Sequence, residues 1–203
     1  MTESGCNTDH CSSLATQSMP RLKDYSAPNF SRGLPAFVEA LWIIVQWLLV
    51  ACDLPGSAHR KFLLRLFGAR IGRGVVIKAG VRIKFPWRLQ VGDYSWIGEN
   101  SWIDNLGIVT IGSNVCVSQN AYLCTGSHDW NSPTFDLVVK PIMIEDGAWI
   151  AAQSTVGPGV TVGEGAVLGL GSTTSKDLLP WCVYAGAPAE FVRKRNLNRV
   201  ISV

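Results

Sequence analysis

The sequence is poor in histidine, in charge and in paired cysteines, and each shortage argues against a class of protein. Histidine occurs three times in 203 residues, and charged side chains make up 16%. His10, His59 and His128 are far apart in the chain, so the several histidines of a zinc centre are not in evidence and no metal is expected. The net charge of +3 is small, and no nucleic-acid partner is expected.

The cysteines and the amino terminus indicate a reducing compartment. The six cysteines form no CxxC pair, and Cys116 and Cys124 lie in apolar β-like runs, where reduced thiols behave as small hydrophobic side chains. The first residues, about 30 of them, contain no apolar core of a cleavable signal sequence. We therefore expect a cytoplasmic protein in which residues 1–20 form a polar, mobile leader.

One apolar run, FVEALWIIVQWLLVAC at residues 37–52, bears on membrane contact. Crossing a bilayer takes roughly 20 apolar residues, so a spanning helix is disfavoured. Two interpretations remain open within a helical region at 21–70. The run packs on the protein or a partner subunit, or it lies in the membrane interface with help from the basic stretch that follows. In the second case residues 37–67 would make a peripheral contact with the inner face of the cytoplasmic membrane.

A six-residue repeat organises residues 71–179. An aliphatic side chain recurs every six positions, with small phase steps and one long interruption: Ile71, Ile77, Ile83, Val91, Ile97, Ile103, Ile111, Val117, Leu123, Ile144, Ile150, Val156, Val162 and Leu168, with Thr174 in the next slot. Six is not a helix period, but a short strand and a tight turn take six residues. Three such units make a coil of 18, and stacked coils form a solenoid. Glycine often follows the aliphatic residue, and we expect it to supply backbone freedom at the turn.

This pattern resembles the hexapeptide repeat of left-handed β-helix acyltransferases. The resemblance implies an all-β solenoid at 71–179, a homotrimer and active sites between neighbouring subunits. The left-handedness of the β-helix is inferred from the resemblance alone, since ordinary parallel crossovers are right-handed. We expect residues 180–203 to form a cap and tail, with a short C-terminal helix closing the open end of the solenoid.

The interruption of the repeat contains the residue that is expected to act in catalysis. Residues 125–141 are predicted to protrude as a loop, and the motif LCTGSHDW places His128, the only histidine of the repeat region, at its start. The motif is similar to that of galactoside and maltose O-acetyltransferases, and more so to those of colanic acid and exopolysaccharide pathways, which also share LLRLFGA.IG and GDY.W.G. The resemblance implies that His128 is the general base that deprotonates a sugar hydroxyl as it attacks acetyl-CoA.

The resemblance also implies how the two substrates bind. The coenzyme A moiety would meet the main chain at Ala152 and Leu170, where related enzymes often have Ser and Ala, and the side chains of Ser175, Lys176 and Arg193. The acceptor is expected to be a sugar or a lipid-linked sugar. Its candidate contacts are Asn100, Asp104, Asn105, Asp129 and Trp130.

Other functions stay open at this point. Serine acetylation and amino-sugar N-acetylation use the same donor and the same fold. A hexapeptide-repeat carbonic anhydrase would need three histidines around a metal, of which the repeat region supplies one. A non-catalytic β-helix scaffold would have no use for the histidine loop or for the basic residues near the carboxyl end.

Overall fold

The computed structural model describes residues 19–27 and 30–197, and most of this chain forms a parallel β-helix. Most of the predicted leader, with His10, Cys6 and Cys11, lies outside the described residues, as does the end of the tail. The cysteines within the described residues, Cys52, Cys116, Cys124 and Cys182, are free thiols.

Each coil of the β-helix contributes three short strands. The first three coils comprise β1 (Arg70–Ile71), β2 (Val76–Ile77), β3 (Arg82–Ile83), β4 (Leu89–Val91), β5 (Trp96–Ile97), β6 (Trp102–Asp104), β7 (Val109–Ile111), β8 (Cys116–Val117) and β9 (Tyr122–Cys124). A hairpin of β10 (Gly126–His128) and β11 (Leu137–Val139) follows. The later strands are β12 (Ile142–Ile144), β13 (Trp149–Ile150), β14 (Thr155–Val156), β15 (Thr161–Val162), β16 (Val167–Leu168), β17 (Thr173–Thr174), β18 (Cys182–Gly186) and β19 (Ala189–Lys194).

The strands stack into three sheets, one for each face of the coil. The first sheet runs β1-β4-β7-β12-β15, the third runs β3-β6-β9-β14-β17, and the second extends from β2 to the terminal β18 and β19. Ile111 pairs with Val91 before it and with Ile144 after it, and Ile144 pairs with Val162. The coils therefore advance by 20, 33 and 18 residues, because the hairpin lengthens one coil without disturbing the register.

The repeat positions fill the interior as the sequence predicts. The aliphatic residues from Ile77 to Leu168 are at most a few per cent exposed. A small or β-branched residue stands four positions after most of them, and these residues, such as Val81, Ser101 and Ala166, are buried as well. Buried serines satisfy their hydroxyls on the backbone: Ser95 Oγ donates to Gly112 O at 2.6 Å, and Ser154 Oγ donates to Gly169 O at 2.7 Å. A narrow core thus holds polar side chains at little cost, since each makes a hydrogen bond.

The glycines after the aliphatic residues have a different role from the one predicted. Left-handed backbone falls two positions later in the turn, at residues such as Gly74 (φ 64°), Asn100 (φ 57°) and Asn114 (φ 56°). Gly98 instead faces the next coil, where an added Cβ would lie 2.7 Å from the backbone nitrogen of Gln119. Glycine is required there by the close approach of successive coils, and the prediction that it supplies turn freedom was wrong.

Two helices close the amino-terminal end of the β-helix. Helix α1 (Ala36–Val45) continues through a π-helical turn at Gln46–Val50, and α2 (Ala58–Leu66) follows. Trp42 is fully buried, and its Nε1 donates to the carbonyl of Ile83 in the first coil at 2.8 Å. The buried guanidinium of Arg60 donates to the carbonyls of Val50 and Cys52, which the π-helical end leaves unpaired. None of the described helices is long and apolar enough to cross a membrane.

The carboxyl end is a β-hairpin, so the predicted C-terminal helix is wrong. β18 pairs in parallel with β16 in the last complete coil, and β19 turns back antiparallel along β18. The physical reason is that β18 continues the second sheet, where Val183 pairs with Val167 and Tyr184 with Leu168. β18 thus pairs with the backbone groups at the edge of β16, and β19 in turn pairs with those at the edge of β18.

Candidate active site

The interruption of the repeat folds as a hairpin whose base is fixed to the coil. Gly126 pairs with Val139 and His128 with Leu137 across the antiparallel strands. Thr125 is fully buried below them, and its hydroxyl donates to Asp104 O at 3.0 Å and accepts from Gly107 N at 2.8 Å. The hairpin therefore leaves the third coil from a rigid platform, and His128 is the last residue of its first strand.

The imidazole of His128 is held in one orientation. Its Nδ1 lies 2.8 Å from the carbonyl oxygen of Phe135, and its ring stacks on the Phe135 ring with centroids 4.3 Å apart and planes 8° from parallel. A carbonyl oxygen only accepts hydrogen bonds, so Nδ1 carries the proton and Nε2 of the neutral ring has the free lone pair. This tautomer is the one a general base needs.

The tip of the hairpin is braced by its own polar side chains. Asp136 accepts hydrogen bonds from Thr134 Oγ1 and Ser132 Oγ, both at 2.7 Å, and these bonds, that of Thr134 foremost, lower the pKa of its carboxyl group. Asp129 Oδ1 accepts from Asn131 N at 2.9 Å, which gives this predicted acceptor residue a local structural contact. Trp130 is 75% exposed at the tip. The bracing fixes Phe135, whose φ is 53°, where its carbonyl meets His128.

An amino-terminal segment, residues 19–27, lies against this hairpin. Arg21 N donates to Pro133 O at 2.8 Å, and the Tyr25 ring centroid is 5.7 Å from that of His128. Tyr25 and Phe135 are therefore site residues that the sequence analysis missed. No motif marks Tyr25, which is about 100 residues away in sequence, and the contact of Phe135 depends on a main-chain atom.

The residues of the second coil that were predicted to bind the acceptor differ in burial and in hydrogen bonding. Asn105 is fully buried, and its amide both donates to Phe85 O at 2.7 Å and accepts from Phe85 N at 2.9 Å. Its side chain is therefore unavailable to an acceptor, contrary to the prediction. Asn100 occupies a left-handed turn, stacked over Gly80, which explains its presence without a ligand.

Asp104 faces outward from β6 and joins a polar cluster beside the hairpin. Its carboxylate lies 3.2 Å from Lys84 Nζ and accepts a hydrogen bond from the Tyr122 hydroxyl at 3.2 Å. Burial first, then Cys124 and Asp104, raise the pKa of Tyr122, so this phenol stays protonated as a donor. On the same face the Arg82 guanidinium lies 4.6 Å from the centroid of the Trp102 ring, which stacks on Tyr122 at 4.7 Å.

The predicted coenzyme A residues lie on later coils. Ala152 and Leu170 occupy successive turns after the second sheet, joined by a hydrogen bond from Gly171 N to Ala152 O at 2.9 Å, and Leu170 is 73% exposed. Ser175 and Lys176 are exposed at the turn after β17, on the corner from which the hairpin leaves two coils earlier. Arg193 is exposed on β19, the end strand of the second sheet. The described residues contain no group of three or more potential metal ligands.

A parallel β-helix with an oriented histidine on a protruding hairpin fits the class of β-helix acyltransferases. Comparison with known proteins agrees. A protein of Escherichia coli (strain K12) named as the colanic acid biosynthesis acetyltransferase WcaF is 43% identical over 179 residues, 87% of this chain and 98% of that protein. The galactoside O-acetyltransferase of Escherichia coli (strain K12) is 29% identical over 140 residues, 68% of this chain and 69% of that protein.

A family model and a solved structure extend the comparison. The model described as the hexapeptide repeat of succinyl-transferase matches residues 141–173. The hexapeptide-repeat containing acetyltransferase VCA0836 of Vibrio cholerae O1 biovar eltor, in complex with acetyl-CoA, is similar with a TM-score of 0.71 and 25% identity, over 81% of this chain and 92% of that one. The chain thus belongs to the hexapeptide-repeat acetyltransferases, and the predicted left-handed β-helix is confirmed as its fold class.

Proposed function

We propose that the protein transfers the acetyl group of acetyl-CoA to a hydroxyl group of a sugar, with His128 as the general base. The observation that carries the proposal is the hydrogen bond between His128 Nδ1 and Phe135 O, because it leaves Nε2 free to accept a proton. The galactoside and colanic acid relatives, by their names, support a sugar acceptor in an exopolysaccharide pathway.

The reaction is a direct transfer with both substrates bound together. Nε2 takes the proton of the acceptor hydroxyl while its oxygen attacks the thioester carbonyl, giving a tetrahedral oxyanion. The carbon–sulfur bond then breaks, the acetyl ester remains on the sugar, and the imidazolium returns its proton to the departing thiolate. A backbone N–H is the expected stabiliser of the oxyanion.

The binding of both substrates follows as part of the proposal. We assign the coenzyme A moiety to Ala152, Leu170, Ser175 and Lys176 on the later coils, with Arg193 for a phosphate group. Asp104, Asp129 and Trp130 remain the acceptor candidates. We further propose a homotrimer, in which neighbouring subunits complete the site, and a peripheral membrane association through residues 37–67 that brings the enzyme to a lipid-linked sugar.

The test is thiol release from acetyl-CoA with a panel of free sugars, nucleotide sugars, lipid-linked sugars, serine and amino sugars. The proposal expects release that depends on a sugar hydroxyl acceptor. Release with serine or with an amino group alone would replace it by one of the alternative acetyltransferases. No release with any acceptor, together with no binding of coenzyme A, would leave the scaffold function.

A further inference from the structure

The outward face of the first helix is apolar along its whole length. Every exposed residue between 36 and 50 is apolar, and these residues are Ala36, Phe37, Ala40, Leu41, Ile43, Ile44, Trp47, Leu48 and Leu49. Trp47 and Phe37 are 76% and 73% exposed. The other side of the helix is already used, since Trp42 and Gln46 are hydrogen-bonded to Ile83 of the first coil. A continuous apolar surface of this kind marks an interaction site.

The end of the molecule that presents this face is strongly basic. Residues 30–90 contain ten lysines and arginines and two acidic residues, whereas residues 91–197 contain five basic and ten acidic residues. Arg82 of the first coil lines the same surface pocket as Trp47 of this face, Lys78 is exposed on that coil, and Lys61 lies next to the exposed Phe62 on α2. An apolar face bordered by cations favours an anionic lipid surface, where each nearby lysine or arginine contributes about 1 kcal/mol.

We propose that the exposed face of α1, residues 36–50, docks in the interface of an anionic bilayer and that the basic residues of α2 and the first coil contact its headgroups. The basic charge at this end of the molecule favours an anionic bilayer, and not a second copy of the chain, as the partner of α1. Two copies joined through α1 would bring two basic ends together, which like-charge repulsion opposes. A helix that lies in the interface, and does not cross it, agrees with its length.

The docked orientation gives a geometry for the acceptor. The hairpin of His128 leaves the third coil, and strands of successive coils are ~4.8 Å apart. With a helix layer of ~10 Å below the first coil, His128 lies on the order of 20 Å from the docked face. An acceptor sugar on a lipid headgroup would have to extend that far from the bilayer to reach His128. This choice of acceptor rests on the proposed sugar acetylation, whereas the membrane contact itself does not.

The experiment is co-sedimentation of the full chain with vesicles of phosphatidylcholine alone or mixed with phosphatidylglycerol. We expect binding to the mixed vesicles that weakens with added salt, and little binding to phosphatidylcholine alone. The double variant Ile44→Gln/Leu48→Gln should lower the apparent affinity by about tenfold or more. Leu179→Gln, which changes a 64% exposed residue on the last coil, should bind as the native chain does.

Two further readouts exclude trivial results. Thiol release with a soluble sugar acceptor should be unchanged in the double variant, which shows that it folds. The tryptophan emission of the native protein should shift to shorter wavelength on vesicle binding, and less so in Trp47→Phe. Vesicle binding is measured without acetyl-CoA, so a failure of catalysis would not affect it.

Three results would overturn the proposal. One is an absence of binding to both vesicles, and another is equal binding by the double variant and the native chain. The third is an oligomer of the native chain that the double variant breaks apart, seen by light scattering, because the face would then be covered by another copy.

Discussion

The Nδ1 atom of His128 lies 2.8 Å from the carbonyl oxygen of Phe135, seven residues further along the hairpin. A main-chain carbonyl thus does the orienting that a carboxylate does in many other histidine sites. Its position depends on the hairpin tip, where Ser132 and Thr134 both bond the carboxylate of Asp136. The hydrogen bonds of the hairpin tip therefore help to hold the His128 ring in its orientation.

The first prediction concerns Asp136. The Asp136→Ala variant should lose about tenfold in kcat, because a looser tip lets the Phe135 carbonyl move away from His128. The melting temperature should change little, since the Asp136 side chain is on the surface. Asp146→Ala is the matched control, because that carboxylate accepts a hydrogen bond from Ser113 N outside the hairpin. An unchanged kcat in Asp136→Ala would show that the tip does not position the base.

The second prediction separates two kinds of glycine. Gly98→Ala should destabilise the protein by about 2–3 kcal/mol, because its Cβ would overlap the backbone of the adjoining coil. Gly171→Ala should cost about 1–2 kcal/mol, since its φ is 64° but no atom lies within 4 Å of the added Cβ. Urea unfolding of both variants at one protein concentration measures the difference. The reverse order of stability would contradict the close-approach explanation.

The third prediction concerns the pH dependence of stability that arises from the contact between Arg73 in the first coil and Asp93 in the second. Asp93 Oδ1 accepts from Arg73 N at 2.8 Å, and that bond, followed by the bond from the Arg73 guanidinium, lowers the pKa of Asp93. A lowered carboxyl pKa gives stability that is present above the pKa of the unfolded chain, about 3.9, and is lost as the pH falls through the folded pKa. Between pH 7 and the acid range, the melting temperature should fall less in Asp93→Asn than in the native protein. An equal fall in both proteins would show that Asp93 does not contribute to the pH dependence of stability.

The repeat made much of the fold predictable from sequence, since a six-residue period specifies both the strand and the face that is buried. The reasons behind its glycines were not predictable. Gly98 and Asn100 belong to the same turn, and only the packing of the next coil shows which of them is limited by space and which by φ. The sequence predicts a short C-terminal helix within residues 180–203, because the pairing of Val183 with Val167 cannot be seen in the sequence of that segment.

The candidate site was predictable only where a side chain belongs to a motif. His128 follows from its motif, but Tyr25 and Phe135 reach it through tertiary contacts and a main-chain atom. Asn105 shows the converse, because an asparagine suited to binding a sugar instead bonds the backbone of Phe85 inside the core. Residue type suggests what a side chain can bind, and burial decides whether a ligand reaches it.

The most direct test of the account is the rate of acceptor-dependent thiol release by the His128→Ala variant. We expect kcat to fall by about 10²–10⁴-fold, the usual contribution of a general base, while the KM for acetyl-CoA changes little. The melting temperature should stay close to that of the native protein, which shows that the hairpin persists. A variant that keeps its rate within a few-fold of the native enzyme would contradict the role of His128 as the base.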